Sequence, residues 1–417
     1  MLFGTAAAAA STAVGAPVSA SSIGSDGDPA LVRLHEAMAT RVARGELVGI
    51  VYAVARHGTV HVDTIGRLSL EDDQPMRRST PFRVASLTKP IIAAATMMLV
   101  EDGRLALDEP IDRLLPELAH RRVLTRIDAP LDQTVPAQRP ITVEDLLTLR
   151  MGYGMIFEPS FEPPYPVIKA ANDLQLVMAQ PDPRTPWRPH EWIRRFGTLP
   201  LMDQPGERWR YNAGMLVLGV LVARASGRGL GDFLDERIFQ PLGMRRTGFW
   251  LPAAQAAALP GLYLTNQQTG KLELQQGSRP QEWSRPPAFA SGAAGLASTV
   301  DDYLAFSQLL LNKGVYRHRR LLSAESIELL TTNHLTPQQR ADAGPAPLNG
   351  RGWGYGMAVS VAPDEVSEPG RYGWEGGYGT AWFNDPHRDL TAIAMTQTID
   401  FLFNGGADEF QHLAARV

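Results

Sequence analysis

The chain has 417 residues, 44% of them apolar and 20% charged, enough for one large domain or two interlocked ones around a sizeable core. Forty Lys plus Arg against 44 Asp plus Glu leave a net charge of −4, with no general pull toward nucleic acid or anionic lipid, so neither is an expected partner. The lack of cysteine excludes disulfides, thiolate nucleophiles and Cys-containing metal sites, and no apolar run reaches the length of a membrane span.

The first 25 residues are uncharged and rich in Ala, Ser and Gly. They resemble the tail of a secretory signal without its basic start, so residues 1–29 are expected to be a disordered or signal-like extension. A cytoplasmic protein is the expectation, with periplasm or secretion the alternative if that segment belongs to an export signal. From Leu31, apolar residues at Leu34, Met38 and Val42 keep helical spacing, which predicts a helix over 30–46. The β-branched runs 48–55 and 60–65 follow, joined by a turn at 56–59, as in a hairpin. His57 and His61 fall across that turn with no further ligands near, so no metal is expected there.

After residue 86 the pattern turns helical, with apolar stretches at 91–101, 143–149 and 215–226. The Pro-rich segments 158–166 and 181–189 must be loops or caps, because proline lacks the N–H that a helix interior needs. Their aromatic neighbours Phe157, Phe161, Tyr165, Trp187 and Trp192 suit either a pocket wall or anchors that pin the loops. Ser298-Thr299 reads as a helix cap before a helix to about 311, and another helix covers 323–330. Strand signals return at 354–361, 378–384 and 390–398, the last two joined by an Asp385-Pro386 turn, before a short helix at 408–416. Strands at both ends of a helical middle predict an α/β protein: one antiparallel sheet (30–85 with 298–417) and an inserted, mainly helical domain (86–297).

Three segments carry candidate chemistry. Ser86 and Lys89 stand three residues apart at the head of a helix, which puts hydroxyl and amine on one face. Four of the 40 cationic residues are lysines, Lys89, Lys169, Lys271 and Lys313, and a lysine is the cation that can give up its proton to serve as a base. A free amine is neutral in only ~1 molecule in 2,000 at pH 7, so a base here needs burial, at a cost of ~4 kcal/mol. The second segment, 205–214, turns into an apolar helix and offers Tyr211 as a proton relay, although a tyrosine in such a place is also an ordinary amphipathic core residue. The third, 373–380, holds Gly376, Gly377 and Gly379, too many glycines for a comfortable strand interior, which suits close approach of a ligand or a bulged edge. The amides of Ser86 and Gly377 together would make an oxyanion hole. Neither a Gly-x-Ser-x-Gly nor a phosphate-binding Gly loop with Lys-Ser or Lys-Thr occurs. Asp108, Asp112 and Glu144 read as capping and surface charge.

Ser86-x-x-Lys89, then Tyr211-Asn212, then Trp374-x-Gly376 resembles the serine β-lactamase and penicillin-binding-protein superfamily, most closely the class C-like branch with the family VIII carboxylesterases. The resemblance extends from residue 30 onward, including 103–110, 141–152 and 295–299. It implies the β-lactamase-like fold, acylation of Ser86, a general acid/base pair of Lys89 and Tyr211, and a cleft lined by Asn212, Trp374 and Gly376. Two departures stand out: Asn212 directly follows Tyr211 where the family has Tyr-x-Asn, and Trp374 replaces the Lys or His that pairs with a substrate carboxylate. Arg371 lies three residues away, on the opposite face of a strand. The resemblance implies a cofactor-free hydrolase of small-molecule esters, with amides (β-lactams, D-amino-acid peptides, linear amides) as the alternative substrates and a non-catalytic binding protein as the alternative class. No oligomer signature is legible.

Overall fold

Seven antiparallel strands from the two ends of the chain make the main sheet of the computed structural model, which describes residues 20–21, 28–157, 164–181, 184–344, 348–366 and 368–417. In spatial order they are Thr59–Gly66, Gly49–Arg56, Leu390–Thr396, Thr380–Asp385, Tyr372–Gly376, Ala358–Val359 and Gly352–Trp353. Ala20–Ser21, within the segment expected to be an extension, pairs parallel to Thr59–Gly66; most of the rest of 1–29 lies outside the described residues.

The first hairpin closes on His57-Gly58, both at positive φ (49° and 77°), the turn geometry whose twist matches that of paired strands. Gly49–Arg56 is buried on both sides because helices cover both faces of the sheet. Ile50, Tyr52 and Val54 join Leu34 and Met38 of helix Pro29–Ala43 and Phe410 of helix Gly406–Ala414. Val51 and Ala53 face the larger apolar cluster, which runs through helices Thr88–Glu101, Ala213–Ser226 and Val300–Leu311. The first two are buried on nearly every side, which is why their sequences are apolar all round. Thr299 caps the third, its side chain accepting from Asp302 N. The mainly helical middle also carries two short hairpins, Arg122–Leu124 with Thr134–Pro136 and Leu262–Thr265 with Leu272–Gln276. Among the described residues no single helix is long and apolar enough to cross a membrane.

One expected strand is corrected. Residues 354–361 are not a continuous strand; Gly352–Trp353 and Ala358–Val359 form a tight hairpin around Gly356. Gly356 has φ +76°, and a Cβ there would sit 2.8 Å from the Lys89 carbonyl oxygen, so the turn rests directly on the helix that carries Lys89. The Gly-Tyr-Gly run that looked like strand is the bend that makes this approach.

Candidate active site

Ser86 sits in a 3-10 turn, Ala85–Leu87, which runs straight into helix Thr88–Glu101. Ala85 holds φ +43°, an uncommon backbone state for a residue with a Cβ, and it is fully buried. This turn aims Ser86 at Lys89 one helical turn on. Lys89 Nζ lies 2.9 Å from Ser86 Oγ and donates to the Ala293 carbonyl at 2.8 Å. The amine is wholly buried, and that burial drives its pKa well below the ordinary lysine value.

Tyr211 approaches from the turn before helix Ala213–Ser226. Its hydroxyl donates to Ser86 Oγ at 2.7 Å, and its ring faces Lys89 Nζ at 4.4 Å from the centroid. Burial raises the pKa of this phenol, an effect opposed by its hydrogen bonds with Ser86 and Trp374. The ring lies among aromatic neighbours: Trp374 at 5.6 Å, Trp209 at 5.6 Å, Trp353 at 6.3 Å and Phe157 at 5.9 Å.

The strand Tyr372–Gly376 forms the other wall. A Cβ on Gly376 would lie 2.3 Å from the Val84 carbonyl, so the glycine lets this strand reach the backbone just before Ser86, where Thr380 Oγ1 also donates to Val84 O at 3.2 Å. Gly377 opens the turn that follows, and a Cβ there would meet the Gln180 amide. Trp374 is 3% exposed and its indole N–H donates to the Tyr211 oxygen at 2.7 Å. Asn212, at φ +84°, donates its amide to the Met178 carbonyl at 2.6 Å. Its side chain thus ties down the 175–181 loop, in which Gln175 and Val177 also adopt positive φ.

That loop walls a cavity of about 860 Å³ beside the Ser86 turn, lined by Met155, Ile156, Ile168, Ala171, Met178 and Gln180 among others. Ser86 is not in its lining. The cavity meets the reaction centre where Met155 N donates to the Tyr211 carbonyl (2.8 Å) and where Gln180 touches Gly377.

The structure therefore brings together Ser86, Lys89, Tyr211, Trp374, Gly376 and Gly377, with Asn212 behind them. Arg371 turns away, donating to Gln411 at 2.9 Å and covering the Phe383 ring, so it supplies no charge to the cleft. Of the loop aromatics, Trp187 and Trp192 donate to the carbonyls of Leu174 and Leu176 and pin the cavity wall from outside; Phe157 faces Tyr211, and Phe161 lies outside the described residues. Sequence reasoning missed Ala293, Gln180 and the Arg351–Glu375 ion pair beside Trp374. The small-residue run 290–295 carried a usable signal for the first, since it permits close backbone approach. Nothing local marks the others. Among the described residues no group of His, Asp or Glu is arranged to hold a metal.

A sequence model of the family described as Beta-lactamase matches residues 34–415. Protein Rv1367c of Mycobacterium tuberculosis is 37% identical over 363 residues, 85% of this chain and 86% of that protein. Esterase EstB of Burkholderia gladioli is 31% identical over 373 residues, 84% of this chain and 86% of the esterase. Among solved structures, EstCE1, described as a hydrolase with promiscuous acyltransferase activity, superposes with a TM-score of 0.75 over 93% of this chain and 97% of its own, at 24% identity.

Proposed function

This chain belongs to the β-lactamase family, whose esterase members mark it as an enzyme of the serine hydrolase type, and from that premise we propose that it hydrolyses carboxylic esters through an acyl-enzyme on Ser86. The observation that carries the proposal is the convergence of Lys89 Nζ (2.9 Å) and the Tyr211 hydroxyl (2.7 Å) on Ser86 Oγ. With the amine neutral, its lone pair is open to the Ser86 proton while an N–H stays on Ala293 O. Ser86 Oγ attacks the ester carbon and its proton passes to Lys89. The oxyanion rests on the Ser86 and Gly377 amides. As the tetrahedral intermediate collapses, Tyr211 protonates the departing alcohol oxygen and recovers a proton from the Lys89 ammonium. Water then attacks the acyl-enzyme by the same transfers in reverse and releases the acid.

Esters are favoured over amides by what stands at residue 374. A cation there would pair with a substrate carboxylate, whereas the Trp374 N–H is already bonded to Tyr211. The adjoining apolar cavity suits a neutral ester with one bulky hydrocarbon part. Replacing Ser86 by Ala is expected to lower hydrolysis of p-nitrophenyl butyrate by at least ~10³-fold while the circular dichroism spectrum is kept. An unchanged rate in that variant, or efficient nitrocefin hydrolysis with negligible ester turnover, would reject the proposal.

A further inference from the structure

Trp374 stands in the cleft, yet its only polar atom is turned from the substrate side to the Tyr211 oxygen at 2.7 Å. The indole is fixed from two directions. Trp353 packs edge-on against it at 4.8 Å and 89°, and the Arg351 guanidinium lies 5.1 Å from its ring centroid. Arg351 is in turn held by Glu375, the next residue of the same strand, in a two-pronged ion pair at 2.8 and 3.0 Å. Gln411 Nε2 donates to the same carboxylate at 3.4 Å. The sheet leaves room for this clamp because Ala358–Val359 pairs with the strand only at Gly373 and Tyr372, so among the described residues no strand covers that edge from Trp374 onward.

We propose that Trp374 serves Tyr211 rather than the substrate: its N–H makes the phenol a stronger acid toward the leaving alcohol, and the Arg351–Glu375 pair is a positioning device that keeps the indole on that oxygen. The inference rests on the reading of Tyr211 as the leaving-group acid. When Tyr211 releases its proton, the negative charge grows on the atom that Trp374 already contacts, and a hydrogen bond to a charged oxygen is stronger than one to the neutral phenol. The stabilisation therefore acts mainly on the proton-transfer step. It matters most when the departing oxygen is strongly basic, and least when it leaves readily as an anion.

Two esters with one acyl group separate the roles. For Trp374→Phe, kcat/KM for ethyl butyrate is expected to fall about 10- to 100-fold, and that for p-nitrophenyl butyrate by less than about threefold. Glu375→Gln should reproduce the same leaving-group bias at smaller size, and the double variant should be no worse than Trp374→Phe within about twofold, because the clamp works through the indole. Equal losses on the two esters, a change confined to KM, or multiplying losses in the double variant would each overturn the inference. If Trp374→Phe does not fold, Glu375→Gln placed in a Tyr211→Phe background decides the same question: no added loss supports the inference and an added bias against ethyl butyrate refutes it. Failure of the parent reading looks different, since the wild type would then hydrolyse neither ester or would keep its rate in Ser86→Ala.

Discussion

Lys89 buries its amine completely, within hydrogen-bond reach of Ser86 Oγ and the Ala293 carbonyl. Its spacing from Ser86 and the scarcity of lysine single it out, but its lowered pKa comes from burial beside Tyr211 and the 290–295 backbone, both distant in the chain. The same burial has a thermodynamic signature. Burial depresses the folded-state pKa, so between that value and the unfolded value near 10.4 the unfolded chain carries a proton that the folded chain lacks. Wild-type stability therefore rises with pH across this window, by about 1.4 kcal/mol per pH unit, and levels off above it. Lys89→Met removes this dependence and leaves the Ala293 carbonyl without its Lys89 donor, a fixed offset of ~1–3 kcal/mol. Urea titrations at several pH values should show the stability difference, variant minus wild type, falling as pH rises toward 10. A difference that does not change with pH would mean that Lys89 is charged in the folded protein.

At the scale of elements, the strand Tyr372–Gly376 and the turn after it separate structure from chemistry at neighbouring glycines. At Gly376 an added Cβ meets backbone, the Val84 carbonyl at 2.3 Å, which cannot yield without moving the Ser86 turn. At Gly377 it meets only the end of the flexible Gln180 side chain. Gly376→Ala is expected to destabilise the fold by about 1–3 kcal/mol, a loss of several degrees or less in Tm, whereas Gly377→Ala should melt near the wild type. Equal melting temperatures for the two variants would show that the strand does not press on Val84. The glycines themselves were legible as a sign of close approach. What approached was not legible, because Val84 and Gln180 reach these positions through tertiary packing. The 354–361 segment went the other way: Tyr355, Met357, Val359 and Val361 alternate with small residues and imitate a strand, and the bend at Gly356 is set by contact with the Lys89 helix.

Across the whole molecule, a sheet built from both chain ends around a helical middle followed from strand signals at the ends and helical periodicity between them, whereas the β-lactamase-like fold was implied by the resemblance of the three motifs. Long-range partners were out of reach of periodicity: the Asn212 amide anchors the cavity wall at Met178, and Arg351 reaches back to Trp374 and Glu375. These contacts join the sheet, the Ser86 helix and the cavity loop around one candidate site, in which a buried amine stands next to a serine hydroxyl. The decisive experiment for that amine is the rate at which a fluorophosphonate modifies the intact protein, followed against pH with the adduct mapped by peptide mass spectrometry. One adduct is expected, on Ser86, forming at a rate that climbs with pH to a plateau reached well below the pKa of an ordinary lysine. Modification elsewhere, or a Ser86 rate still climbing through pH 10 as for a solvent-exposed amine, would contradict a neutral Lys89 acting on Ser86.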